Sequence, residues 1–211
     1  MTAVPAAPGS AGQERSTVDV LSCLEEVESR LRDMTEDLTK ADLDRPTPCT
    51  EWDVRALVSH TLGAMEMYAA FVDGDPPPDF EAMMAGRDVL GDDPHGAVVA
   101  SSRRSRRAWS QPGALEREIA TPWWGTMTGA RIASVSAFST LVHGWDLGIA
   151  LGQEVEFPQD LLDLSWSVTE EIGPSLRHMG VLSDPVEVGD DASPTEQLFA
   201  FLGRSPITEN R

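Results

Sequence analysis

The amino-acid sequence predicts an all-α fold, a bundle of five or six helices with little strand. Three observations carry that expectation. Long stretches repeat apolar residues at helical intervals, good capping residues stand at their ends, and alternating strand patterns are nearly lacking. With 211 residues, 41% of them hydrophobic and six of them tryptophan, the chain can bury a sizeable core. One helical-bundle domain over 16–211 is expected, preceded by a disordered tail over 1–15.

The tail, "MTAVPAAPGSAGQER", is rich in Ala, Pro and Gly. It lacks the basic start and continuous apolar core of a signal peptide. No run in the chain approaches the ~18 apolar residues of a membrane span. A cytoplasmic protein is expected.

From 17 to 38, Val20, Leu21, Leu24, Val27, Leu31, Met34 and Leu38 recur at helical spacing, with acids on the opposite face. Pro46 and Pro48 end that pattern. In "PCTEWDVRALVSH", Thr50 is expected to cap the second helix, with Asp53 in the capping-box position and Cys49 and Val54 as a hydrophobic staple. The helix should run to about Phe71, apolar on nearly every side and therefore buried. Three consecutive prolines, Pro76 to Pro78, break the chain.

A third helix is expected over 94–111. It carries "RRSRR", Arg103 to Arg107, which reads either as a solvated face paired with neighbouring acids or as a site for an anionic ligand. "LEREIATPWWGTMTG" reads as a loop or short hairpin, whose Trp123 and Trp124 either roof a pocket or plug one end of a core. A long helix follows over 128–151, stopped by Gly152, and another over 158–177. Ser193, Pro194 and Glu196 form a capping signature for a short closing helix.

The net charge of −19, from 35 acidic residues against 16 Lys and Arg, repels phosphate backbones and anionic lipid. Nucleic-acid and membrane partners are not expected. Cys23 and Cys49 form no CxxC and no disulfide framework, so both read as reduced and mainly structural, with a catalytic thiol at Cys49 as the lesser alternative.

The stretch "FSTLVHGWDLGIALG" carries the main functional signal. Measured from His143, Ser136, Ser139, Thr140, Asp146, Leu147 and Ala150 lie within roughly 60° on the helix. A polar stripe of Ser, Ser, Thr, His and Asp therefore faces solvent or a polar cavity. On the second helix His60 has Ala56, Gly63 and Met67 on its own face, so its imidazole requires a partner. A hydroxyl or carbonyl is one such partner. A zinc, nickel or iron ion is the other, since two histidines and a carboxylate would leave a metal one open position.

Three segments, "TPCTEWDVRALVSH", "LVHGWDLGIALG" and "DASPTEQLFAFLGRSP", stand in an order that resembles the mycothiol-dependent maleylpyruvate isomerase family, metal-binding domain, within the DinB-like superfamily. The resemblance spans roughly 17–206. It implies a DinB-like four-helix bundle with additional short helices, room for a small hairpin, and a divalent-metal site between helices. His60 and His143 match two of the family's metal ligands. The third, an acid or histidine one turn before His143, is Ser139 here. Asp146 could substitute for it or orient a histidine ring, and Ser139, Thr140 or a water could complete the site.

The resemblance implies a zinc or nickel ion and mycothiol, a low-molecular-weight thiol, as co-substrate of a transferase or isomerase. The isomerase itself carries a further C-terminal domain, so the resemblance reaches the metal-binding bundle rather than that reaction. A second reading is a metal-free small-molecule-binding bundle that has lost catalysis because the acidic ligand position is Ser139. A homodimeric structural or regulatory module is the third.

Overall fold

The computed structural model describes residues 19–204, so the expected tail lies outside the described residues. Eight helices and one two-stranded sheet are found among them, an all-α architecture as the sequence predicts. They divide into two compact units, one Val20–Glu154 and the other the described residues from Val155 onward together with Asp19.

The first unit is built on four long helices: α1 (Val20–Glu36), α3 (Val54–Asp73), α5 (Pro94–Trp109) and α6 (Gly129–Leu151). α1 packs against α5 and α6, and α3 packs against the same two, so the four close into a ring. Two short helices, α2 (Lys40–Leu43) and α4 (Phe80–Met84), join them. Leu31, Leu57, Val58, Leu62, Met65, Val98 and Leu147 share one apolar cluster drawn from all four long helices.

The ends of α6 are set as the sequence suggests. Thr128 accepts the Arg131 amide, and Gly152 closes the helix at φ 75, a left-handed conformation that glycine adopts without strain. A Cβ at Gly129 would overlap the Ala114 carbonyl oxygen, so only glycine lets α6 begin against that loop. The preceding segment is a hairpin, β1 (Glu118–Thr121) paired antiparallel to β2 (Gly125–Thr128). Trp123, at its turn, is partly exposed and lies 4.7 Å from the exposed Phe80 ring, so it plugs no core.

The start of α3 differs from expectation. Asp53, not Thr50, is the N-cap, its carboxylate accepting the Ala56 amide at 2.8 Å. The segment before it is held instead by an isolated bridge, Pro46 to Asp53, and by the Val54 amide on the Arg45 carbonyl. Those bonds keep 49–53 out of the helix. Helices α2 and α4 are too short to show an apolar period, and the sequence did not predict them.

In the second unit α7 (Gln159–His178) is followed by α8 (Pro194–Phe201). α8 begins with the expected capping box: Ser193 accepts the Glu196 amide, and Glu196 accepts the Ser193 amide. Phe157 stacks 6.1 Å from Phe199, and its amide donates to Thr195. Arg177 lies over Phe201, 4.7 Å from the ring centre.

Candidate functional site

The polar stripe of α6 meets His60 of α3 inside the first unit. The rings of His60 and His143 are 4.9 Å apart, edge to face. Trp52, from the loop before α3, stacks on His60 at 4.3 Å and meets His143 edge-on at 5.8 Å. The two histidines that the sequence singles out therefore share one aromatic-walled site.

His60 is buried, and its Nδ1 lies 3.1 Å from the Met83 carbonyl. A carbonyl can only accept, so Nδ1 carries the proton and Nε2 keeps its lone pair. Burial, with the neighbouring His143 adding to it, pushes the His60 pKa down to about 3, while the Met83 carbonyl pulls the other way. His60 is neutral at any physiological pH. The Met83 contact depends on Gly63: a Cβ there would lie 2.7 Å from the Met83 Cγ. One turn from His60 on α3, that glycine lets α4 settle onto the imidazole.

Asp146 is 0% exposed, and its Oδ2 lies 3.2 Å from His143 Nδ1. The His143 side chain is 12% exposed and reaches the edge of the site. Three residues apart on one helix, the pair meets across a turn. Ser139 and Thr140 stand a turn earlier on α6, half-buried and buried respectively.

Cys49, which reads from the sequence as mainly structural, joins the site. Its Sγ donates to Asp146 Oδ2 at 3.2 Å, and one ligand atom each from Cys49, His143 and Asp146 falls within 4.8 Å of the others. The loop that brings it there is tied by Thr47, whose hydroxyl lies within hydrogen-bond reach of both the Cys49 and Trp52 carbonyls, at 3.0 and 2.8 Å. The Trp52 amide closes the turn on the Cys49 carbonyl at 2.8 Å. Thus one loop delivers both the thiol and the indole. Periodicity could not reveal this, because 44–53 has none; the only signal was the presence of Cys49 inside a motif-bearing segment.

The donor set is a sulfur, an imidazole nitrogen and a carboxylate oxygen, with the lone pair of His60 Nε2 on the neighbouring ring. Sulfur and nitrogen donors with one carboxylate suit zinc or nickel, and three protein ligands leave a position for a small molecule. A wholly buried carboxylate also calls for compensating positive charge. The residues present fit a divalent metal.

The arginine cluster is otherwise engaged. Arg104 pairs with Asp73 at 2.6 Å and with Glu66 and Asp75 at 3.4 and 3.6 Å, and Arg106 pairs with Glu25 at 2.5 Å. At those two positions the acid-paired reading holds.

The model of the mycothiol maleylpyruvate isomerase N-terminal domain matches residues 24–148, more than half of the chain. That span contains Cys49, His60, His143 and Asp146. An uncharacterised protein of Mycobacterium tuberculosis, from strains CDC 1551 and H37Rv, is 26% identical over 167 residues, covering 77% of this chain and 85% of the relative. The chain belongs to the mycothiol maleylpyruvate isomerase N-terminal domain family. No described helix is long and apolar enough to cross a membrane.

Proposed function

We propose that this member of the family is a cytoplasmic metalloprotein that binds a zinc or nickel ion in the first unit and uses it to handle a low-molecular-weight thiol. His143 and Asp146 of α6 would hold the ion, with Cys49 supplying the anionic ligand that Ser139 lacks and His60 offering Nε2 from α3. The observation that carries this reading is the convergence of Cys49, His143 and Asp146 within 4.8 Å, beside the His60 ring. The family's name supports mycothiol as the thiol, and a transferase or isomerase step as its use.

When bound, such an ion lowers a thiol's pKa and so holds it as thiolate at neutral pH. The chain's own residues do the rest. Asp146 orients the His143 ring through Nδ1, and the Met83 carbonyl does the same for His60. Trp52 covers the His60 face and limits access of water. Ser139 and Thr140, one turn away, offer hydroxyls to a substrate or to a coordinated water.

A second reading is a metal-free pocket. It is favoured by the hydrogen bonds from Cys49 Sγ and His143 Nδ1 that already meet the Asp146 carboxylate.

Metal analysis of untagged protein separates the two. Incubation with zinc or nickel followed by desalting should leave close to one ion per chain. Asp146→Ala and His143→Ala should lose it, and Cys49→Ser should retain it more weakly. A parent chain that holds neither ion would sink the metal reading and leave the pocket.

A further inference from the structure

A cavity lies between α1 and α5, apart from the histidine site. It measures about 180 Å³ and is lined by Leu21, Leu24, Glu28, Ser105 and Trp109, with the Glu25–Arg106 ion pair at its rim. It shares none of these residues with the histidine site.

Its lining is polar in an unusual way. Glu28 is only 2% exposed, and its Oε1 has no hydrogen-bond partner. The Trp109 indole N–H is likewise buried without an acceptor. Neighbouring buried polar groups are normally satisfied, and each one left open costs free energy. Here an acceptor and a donor are both left open in one cavity beside apolar leucine side chains.

We infer that this cavity is a binding site for a small aliphatic amine, whose ammonium group pairs with the Glu28 carboxylate and whose alkyl body lies against Leu21, Leu24 and the Trp109 ring. Three features select that chemistry. Glu28 is a buried acid with one oxygen left open, whose charge Arg32 and Arg106 offset without forming an ion pair with it, the apolar wall accepts methylenes, and a chain of net charge −19 concentrates cations rather than anions. A hydroxyl on the amine would add an acceptor for the Trp109 N–H, so amino alcohols should bind better than plain amines of equal length. The volume is roughly six times the ~30 Å³ share of one liquid water, enough for a short chain and too little for a bulky one.

Binding should be linked to protons. Burial raises the Glu28 pKa to about 7; Ser105, Arg32 and Arg106 act to lower it, and Glu25 acts to raise it. These groups come from α1 itself and from α5. An arriving ammonium ion makes Glu28 ionise, so a proton leaves the protein at pH 6 and progressively less leaves above pH 7.

The test is calorimetric titration of the full chain with butylamine, ethanolamine and 4-amino-1-butanol, beside 1-butanol and butyrate, at pH 6 and pH 8. Runs in two buffers of different ionisation heat count the protons. We expect the amines to bind, more tightly at pH 8, with proton release at pH 6, and the neutral and anionic chains to bind at least tenfold more weakly. Glu28→Gln should lose both the amine preference and the proton release. Leu21→Trp, which narrows the cavity and keeps Glu28, should weaken every ligand while the fold persists by circular dichroism. Equal binding of 1-butanol and butylamine would overturn the inference, as would amine binding that Glu28→Gln leaves unchanged. So would no binding up to about 10 mM, well within reach of ligands this small, which would leave a cavity filled only by water.

Discussion

Glu28 and Asp146 are both carboxylates inside a helical unit, yet their surroundings differ. Asp146 has the Cys49 thiol and the His143 ring within 3.2 Å, whereas Glu28 has an oxygen with no partner. For Glu28 the consequence is a stability that depends on pH. Its folded pKa, near 7, lies above the ordinary value of 4.5 because burial disfavours the charge. Between those values the folded state holds a proton that the unfolded state has released. Stability therefore falls as pH rises from 4.5 to 7 and then levels. The full span is on the order of 3 kcal/mol at 1.36 kcal/mol per pKa unit. Glu28→Gln should remove that slope, raising stability at pH 8 by up to this order and changing it little near pH 4.5. Urea denaturation of both chains at the two pH values checks it; a glutamine variant less stable than the parent at pH 8 would show that the ionised side chain is the favoured one.

At the scale of elements, the caps and the close approaches decide what the helices present. Ser193→Ala should lower stability by about 1 kcal/mol, since it removes one half of a capping box whose other half, Glu196, then has no reason to fold back. Gly63→Ala acts elsewhere. The added methyl would press Met83 away at 2.7 Å and so loosen the carbonyl that fixes His60. In that variant the His60 imidazole signals should shift in a nitrogen-detected NMR spectrum while α3 stays helical; an unchanged tautomer would mean that Met83 yields through its flexible side chain alone. These elements also show what the sequence makes legible. α6 and α8 announce themselves by Thr128, Gly152, Ser193 and Glu196, because a cap is a local contract between neighbours. His60 and His143 could be picked out because an imidazole on a helix of small or aliphatic residues requires a partner, whether a carbonyl, a hydroxyl or an ion. Cys49 could not, because its position depends on Thr47 and on a bridge between Pro46 and Asp53, which no period encodes. The start of α3 went astray for the same reason: Thr50 is as good a cap as Asp53, and the tie between Arg45 and Val54 makes the choice.

At the scale of the whole chain, the net charge of −19 and the buried Glu28 press in the same direction, and salt separates them. Between pH 8 and pH 5.5 a proton returns to Glu28, and each proton gained anywhere on a chain of net charge −19 relieves some self-repulsion, so the protein should be more stable on the acid side of neutrality. Surface repulsion reaches over a Debye length of about 10 Å at 0.1 M salt, and sodium chloride at ~0.5 M screens most of it. Desolvation of Glu28 is untouched by screening. Chloride rather than sulfate is the right choice, because sulfate strengthens apolar burial by itself. Salt also weakens the exposed Arg106–Glu25 pair, but such a pair contributes little. The parent should therefore keep a stability difference between pH 5.5 and pH 8 in high salt, smaller than in low salt, and Glu28→Gln should lose nearly all of it. A parent whose difference vanishes on adding sodium chloride would assign the whole effect to the surface. A difference that survives in Glu28→Gln would place it in some other buried group.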